Sequence, residues 1–428
     1  MTFKLKYRLK SGALQFTLFI GILIALILAG LILYAYTFIY LKEQSKAAIG
    51  NIQLSDTGIA YLLEDSSTDN DTITVPFIEN EDQSIKGHLS YWGLFEKAYV
   101  ESMHRKSRFY KSAIIGGKID PDKSPTLYLQ DNNNPLVVVG TTSISGITYL
   151  PSQGVRPGYI AGQSYYGTEL IHGDILKSNA SLPKIKQQLV DNLTFYLEHY
   201  KPVMEKDYLN TNSYRSAISF FKGTQSIYSR QPIVLENREA VGNIIIKSDT
   251  LIRVRRTALL KDLILIAPIV EIEDGVKGNF QVIASKKIVV GKEVKLEYPS
   301  ALVLFQDNKD PSQFLNTAKF DNQIFIDAGS SVSGSVCYLQ TIEIPDFETR
   351  ILLETQAKIK GQVYCQGNFE LKGIVSGSVY ARQFIANQSG SRYINHIYNG
   401  IIENSIPEVF GGIVFDQDES KTVMKWLY

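Results

Sequence analysis

The feature that most restricts what this chain can fold into is a run without a single charge, from Ser11 to Leu41. At about 1.5 Å per residue, a helix over that run is longer than the roughly 30 Å hydrocarbon core of a bilayer. It predicts a transmembrane helix, assigned to residues 13–41. The run exceeds the ~7–15 apolar residues of a signal-peptide core, and no small-residue cleavage site follows, so the segment is expected to stay attached. Lys4, Lys6, Arg8 and Lys10 precede it without an acid, as a basic leader over residues 1–12, whereas Asp56, Glu64, Asp65, Asp69 and Asp71 accumulate beyond it. Because basic flanks stay cytoplasmic, the leader is expected inside and everything after about residue 42 outside.

Past the membrane run, Ile49, Ile52, Ile59, Leu62 and Leu63 keep a helical spacing, so a helical extension is expected over residues 42–70. It should end where Ser, Asp and Asn cluster. From about Thr72 short β-branched runs and turn residues take over, which predicts a β-rich first ectodomain part at 71–177. Ile185, Leu189, Leu193, Tyr196, Leu197 and Tyr200 then recur at helical spacing, with Ser181 and Pro183 suited to the start and Pro202 to the end. With a weaker helical stretch over Ser213–Phe221, they define a helical insertion at 178–222.

Residues 223–390 contain an internal repeat. Val276, Gly278 and Phe280 align with Val332, Gly334 and Val336, with Ile359, Gly361 and Val363, and with Val375, Gly377 and Val379; Ile144–Thr148 is a looser copy. Alternate residues of a strand share a face, so each unit turns apolar–Gly–apolar to one side and residues such as Ser333, Ser335, Lys360 and Gln362 to the other. Glycine within a strand suits close backbone stacking, which favours a β-solenoid; unequal spacings of 56, 27 and 16 residues leave a sandwich with glycine bulges open. Residues 391–428 read as a cap over the last rung. The expected fold is therefore mainly β: a transmembrane helix with its extension, then a β-solenoid ectodomain interrupted by a helical insertion. Over Ile269–Ala386 the valine–glycine–valine units resemble those of bactofilins, polymer-forming bacterial β-helix proteins, although long linkers such as that around Asp310 depart from their uninterrupted pattern.

Candidate chemistry is sparse. A balance of 44 basic and 43 acidic residues offers no global attraction to nucleic acid. Cys337 and Cys365 lack metal-ligand spacing and read as buried thiols, with one disulfide between them left open. Glu169, His172 and Asp174 form a lone E-x-x-H group that reads as a surface histidine, and Gly162–Gly167 misses a nucleophile elbow. Asp262, Glu271, Glu273 and Asp274 could serve a polysaccharide-active site but read equally as solvated strand ends. No cofactor, metal or catalytic set is expected, and the 25 tyrosines suit either half-buried strands or interfaces.

The basic leader, the apolar helix entered at Gly12, and Asp56, Thr57, Gly58, Ile59 and Ala60 near its far end resemble the amino terminus of PilX-like minor pilins and of K-type minor pseudopilins of type II secretion. That resemblance implies cleavage by a prepilin peptidase between Gly12 and Ala13, and helix packing within a pilus-like assembly. Thr17 then stands at the fifth mature position, where major pilins carry glutamate and K-type subunits need not. The expected protein is a non-enzymatic, single-pass bacterial subunit of the inner membrane, its C-terminal domain periplasmic or surface-exposed. Its expected partners are the membrane, proteins met through the amino-terminal helix, and further copies of itself, not nucleic acid. A membrane-tethered bactofilin-like scaffold and a polysaccharide-active β-helix enzyme are the alternatives.

Overall fold

A computed structural model describes residues 11–64, 71–76, 82–105, 107–202, 214–307, 322–343, 346–407, 409–416 and 420–428. The basic residues of the leader, the end of the extension at 65–70 and most of the linker around Asp310 lie outside them. Helix α1 (Ser11–Glu64) is unbroken, so the apolar run and its amphipathic continuation form one element.

After α1 come four antiparallel strands in sequential order: β1 (Thr72–Thr74), β2 (Gln83–Trp92), β3 (Phe95–His104) and β4 (Ser107–Ile119). Two strands from the chain's end, Phe410–Gly412 and Lys421–Leu427, complete the sheet by pairing antiparallel with β4. The sheet lies between α1 and a second, larger body of parallel strands.

In that body each strand pairs in parallel with the next turn of chain, giving a closed, barrel-like arrangement. Ile227, Ile246, Leu265, Val282, Leu302, Val336, Val363 and Val379 follow one another in register and form a buried inner ladder. Val379 is followed by Leu127, then Thr148 and Ile175, so residues from the early part of the β domain continue the stack beyond its latest rung. Asn132 Nδ2 donates to Arg382 O at 2.8 Å across this junction, 250 positions apart in sequence. The chain therefore builds the far end of the stack first and returns along its side. It then winds back from Arg215 toward the strands it has already laid down.

The return path explains where helix expectations fail. Residues near 178–185 run as a strap over an outer ladder of Tyr364, Tyr380, Tyr128 and Tyr149, whose neighbouring rings stand 5.4–6.3 Å apart. Tyr128 donates to Ser181 O and Tyr364 to Pro183 O, so neither residue starts a helix. Helix α2 (Gln187–Thr194) begins later without a side-chain cap and runs on as a wider π-type turn through His199. Leu189, Leu193 and Tyr196 pack on Ile264, Ile266 and Ile283 of the stack. Lys247 donates to the Tyr196 and Leu197 carbonyls at 2.8 and 2.9 Å, closing the helix end; burial pulls its ammonium down to about 8. The described part of the expected second helix is instead the strand Arg215–Ile218, drawn into parallel pairing with Glu239–Gly242.

The cap expected at 391–428 divides in two. Ile401–Glu403 and His396–Tyr398 join the parallel body, whereas the last two strands enter the antiparallel sheet, because the rung above Val379 is already taken by Leu127–Leu129. The second face of the repeat is mixed, with Lys277 and Lys360 exposed. Ser335, Gln362, Ser376 and Ser378 are buried, since the strap, α2 and the sheet cover much of the outer surface. Cys337 and Cys365 are free and buried. Register sets Cys337 beside Tyr364 and Cys365 beside Tyr338, so the two sulfurs fall on opposite faces of the strands.

Three of the four repeat units align as read: Val332, Ile359 and Val375 are neighbours, as are Gly334, Gly361 and Gly377, and then Val336, Val363 and Val379. The first unit is two positions out, because Gly278 faces Leu296, which faces Val332, and Val282 rather than Phe280 leads through Leu302 to Val336. At the glycine ladder φ is +137° to +143°, and a Cβ on Gly361 or Gly377 would overlap the carbonyl oxygen of the glycine beneath it. Replacing Gly361 by Ala should therefore cost on the order of 3–5 kcal/mol. Gly223→Ala, where a Cβ meets nothing within 4 Å, should cost under about 1 kcal/mol. Chemical denaturation of the two variants measures the difference.

Candidate functional site: the amino-terminal helix and the sheet that holds it

Apolar side chains along the first part of α1 stand clear of the rest of the described residues. Leu14, Phe16, Leu18, Leu26, Leu31 and Phe38 are all more than half exposed, and this is the one helix among the described residues long and apolar enough to cross a membrane. Gly12 and Ala13 lie in its first turn, and a Cβ on Gly12 would meet nothing within 4 Å. Thr17 Oγ1 donates to the carbonyls of Ala13 and Leu14 at 3.2 and 3.0 Å, so its hydroxyl needs no outside partner in an apolar medium.

From Gly50 onward the same helix meets the sheet. Leu54, Ile59 and Leu62 are buried against Ile85, Leu89, Ala98, Val100, Ala113 and Ile115. Two glycines set the close approach. A Cβ on Gly58 would lie 2.6 Å from Val100 and 2.7 Å from Ile85, while Gly87 on β2 leaves room for Leu62. Polar contacts fix the register of helix on sheet: Asn51 Nδ2 donates to Ser107 O at 3.1 Å, and Ser102 Oγ donates to Asn51 O at 2.8 Å. Asp56 pairs with Lys111, whose ammonium also lies 4.1 Å from the Trp426 ring, bringing the chain's last strand under the helix.

That last strand also fastens the sheet to the parallel body. Lys421 lies 2.7 Å from the fully buried Glu96 of β3, with Lys186 on the other carboxylate oxygen at 3.7 Å. Lys425 pairs with Asp262, buried in the stack, and Tyr428 donates to the same carboxylate. The turn between β2 and β3 is held the same way, with the Gln281 amide accepting from Leu94 N and donating to Trp92 O, each at 2.8 Å. Charges this buried persist because each has a partner.

The other sequence candidates are engaged elsewhere. Glu271 pairs with Arg253 at 2.6 Å and Glu273 with Arg255, each one rung away, and Asp274 accepts from Lys292 N. Glu169 and His172 lie 3.1 Å apart on an exposed turn, and among the described residues no three His, Cys, Asp or Glu converge as a metal site. Gly162–Gly167 sits around a short two-stranded ribbon.

No protein-family profile matches the chain, and no curated protein matches it. Among solved structures it is similar to the competence-associated pilin ComZ from Thermus thermophilus. The two are 9% identical, and the alignment covers 89% of this chain and 96% of that one at a TM-score of 0.22, too low to argue a common fold.

The site's geometry makes a direct prediction. Gly58→Leu should destabilise the β domain by about 2–3 kcal/mol, because the helix must back away from Val100 and Ile85. Gly21→Leu, in the open part of α1, should leave its unfolding midpoint unchanged. Thermal unfolding of both variants in micelles checks this.

Proposed function

We propose that this chain is a membrane-anchored, non-enzymatic assembly subunit of a pilus-like or secretion-type envelope complex, with α1 as the packing element and the β domain as the surface it displays. The observation that carries the reading is the division of labour within one unbroken helix: an unpartnered apolar rod from Ala13 to Leu41, then a half clamped to the sheet by Leu54, Gly58, Ile59 and Leu62. A simple tether would need only the first half. A clamped second half passes any contact the rod makes with neighbouring helices to the ectodomain as a rigid unit. In this reading the parallel body is a β-solenoid, as its turn-by-turn register supports. The leader faces the cytoplasm, the helix resides in the inner membrane and leaves it on assembly, and the β domain projects into the periplasm or from the surface. Thr17 at the fifth mature position suits a minor subunit of the K type.

Mass spectrometry of the protein purified from its native membrane tests this. The reading expects a mature chain beginning at Ala13, and Gly12→Leu should block processing. A chain that retains its leader, and that crosslinks to no other helix in the membrane, contradicts it and leaves α1 a tether.

A further inference from the structure

The sheet face turned away from α1 is only partly used. Near the β2–β3 turn it packs on the parallel body, but farther along it opens into a cavity of about 320 Å³ lined by Thr72, Lys86, His88, Tyr99 and Glu101. Pairing across β1, β2 and β3 makes this set compact: Thr72, His88 and Tyr99 form one row, and Lys86 and Glu101 the next. Beside it Tyr99 stacks on Tyr110 with ring centres 6.0 Å apart, and Phe221, from the base of the parallel body, stands 6.2 Å from Tyr99. Tyr110 and Phe221 are 40% and 44% exposed, so the aromatic shelf is open on its outer side.

Hydrogen-bonding capacity in the cavity is unspent. His88 Nδ1 is buried and has no partner among the described residues. Glu101 gives one oxygen to Arg108 at 3.1 Å. Burial, with Tyr110 and Glu101 alongside, pushes Tyr99 above the ordinary phenol range, so its hydroxyl keeps the proton it can donate. The cavity thus offers donors from Lys86 and Tyr99, an acceptor from Glu101, and groups from Thr72 and His88 that can act either way. A phosphate would call for cations without a carboxylate beside them, and an apolar helix for an aliphatic groove. Alternating donors and acceptors next to exposed ring faces suit a ligand with hydroxyl edges and an apolar C–H face. The volume lies at the small end of the ~300–1,000 Å³ typical of ligand pockets.

We propose that this cavity, with the Tyr99–Tyr110–Phe221 shelf, is a glycan-binding site that takes a pyranose unit of a neutral or uronic-acid saccharide. The sugar's C–H face lies on the shelf, and its hydroxyls meet Lys86, His88 and Glu101. The site is separate from the helix surface proposed for assembly, so it can fail while that reading stands, and the reverse.

Saturation-transfer NMR on the full chain, held in a detergent without a sugar headgroup, tests it with chitobiose, maltose and a digalacturonate as probes. The expected result is saturable binding of at least one probe at or below about 10 mM, weakened about tenfold or more by Phe221→Ala and by Glu101→Gln. Wild-type thermal midpoints in both variants would confirm that each still folds. Absence of binding by all three probes, or binding that both folded variants retain, overturns the proposal.

Discussion

The structure depends on one packing relation: the inner ladder of the parallel body runs without interruption from Val379 to Leu127. In a parallel stack each rung buries its apolar side chains only against the rung before and the rung after it, so an end without a neighbour is exposed. This chain closes the end above Val379 with strands it has made early. Leu127–Leu129 pairs with Val379–Ala381, which come much later, and Thr148 and Tyr149 stack on Leu127 and Tyr128 in turn; the same closure sends the last two strands away from the stack and into the antiparallel sheet. Contacts between residues so far apart in sequence make folding slow and hold the two ends of the β domain together once formed.

From that closure follows the layered arrangement of helix, sheet and stack. The final strand pairs with β4, its Lys425 reaches Asp262 in the stack, and its Trp426 lies against Lys111, the partner of Asp56 on α1, so this one strand adjoins all three layers. Helix α1 rests on the middle layer, where Gly58 and Gly87 let it approach closely enough for Leu62 and Ile59 to be fully covered. Motion of α1 is therefore coupled to the sheet and the stack, while the apolar side chains of its first half are exposed.

Much of this was legible in residue patterns, for reasons that also mark where legibility ended. The apolar run and the spacing from Ile49 to Leu63 pointed to a long helix, and alternation with turn residues pointed to strands, because both signals are local. The glycine repeat pointed to close stacking, and the ladder from Gly334 to Gly377 is where backbone approach forbids a side chain. Gly278 misled because its spacing matches while its rung leads through Leu296 to Val332 and not to Gly334, a register visible only across rungs. Ser181 and Pro183 look like a helix start, yet the tyrosine ladder takes their carbonyls, so tertiary contact overrode local preference. Neither the stacking of Leu127 on Val379 nor the Lys111–Asp56 contact leaves a sequence signature, since each joins residues with no common motif. The cavity on the sheet was likewise invisible, its residues being spaced for strands and nothing more.

The central claim is that helix, sheet and stack behave as one body closed by residues distant in sequence. Hydrogen exchange followed by mass spectrometry on the full chain in micelles addresses it most directly. The account predicts that peptides covering Leu54–Leu62, Leu127–Leu129 and Val375–Val379 lose protection together, at the rate of global opening. Early, independent exchange of the Leu54–Leu62 peptide or of the Leu127–Leu129 peptide, while Val375–Val379 stays protected, would contradict it.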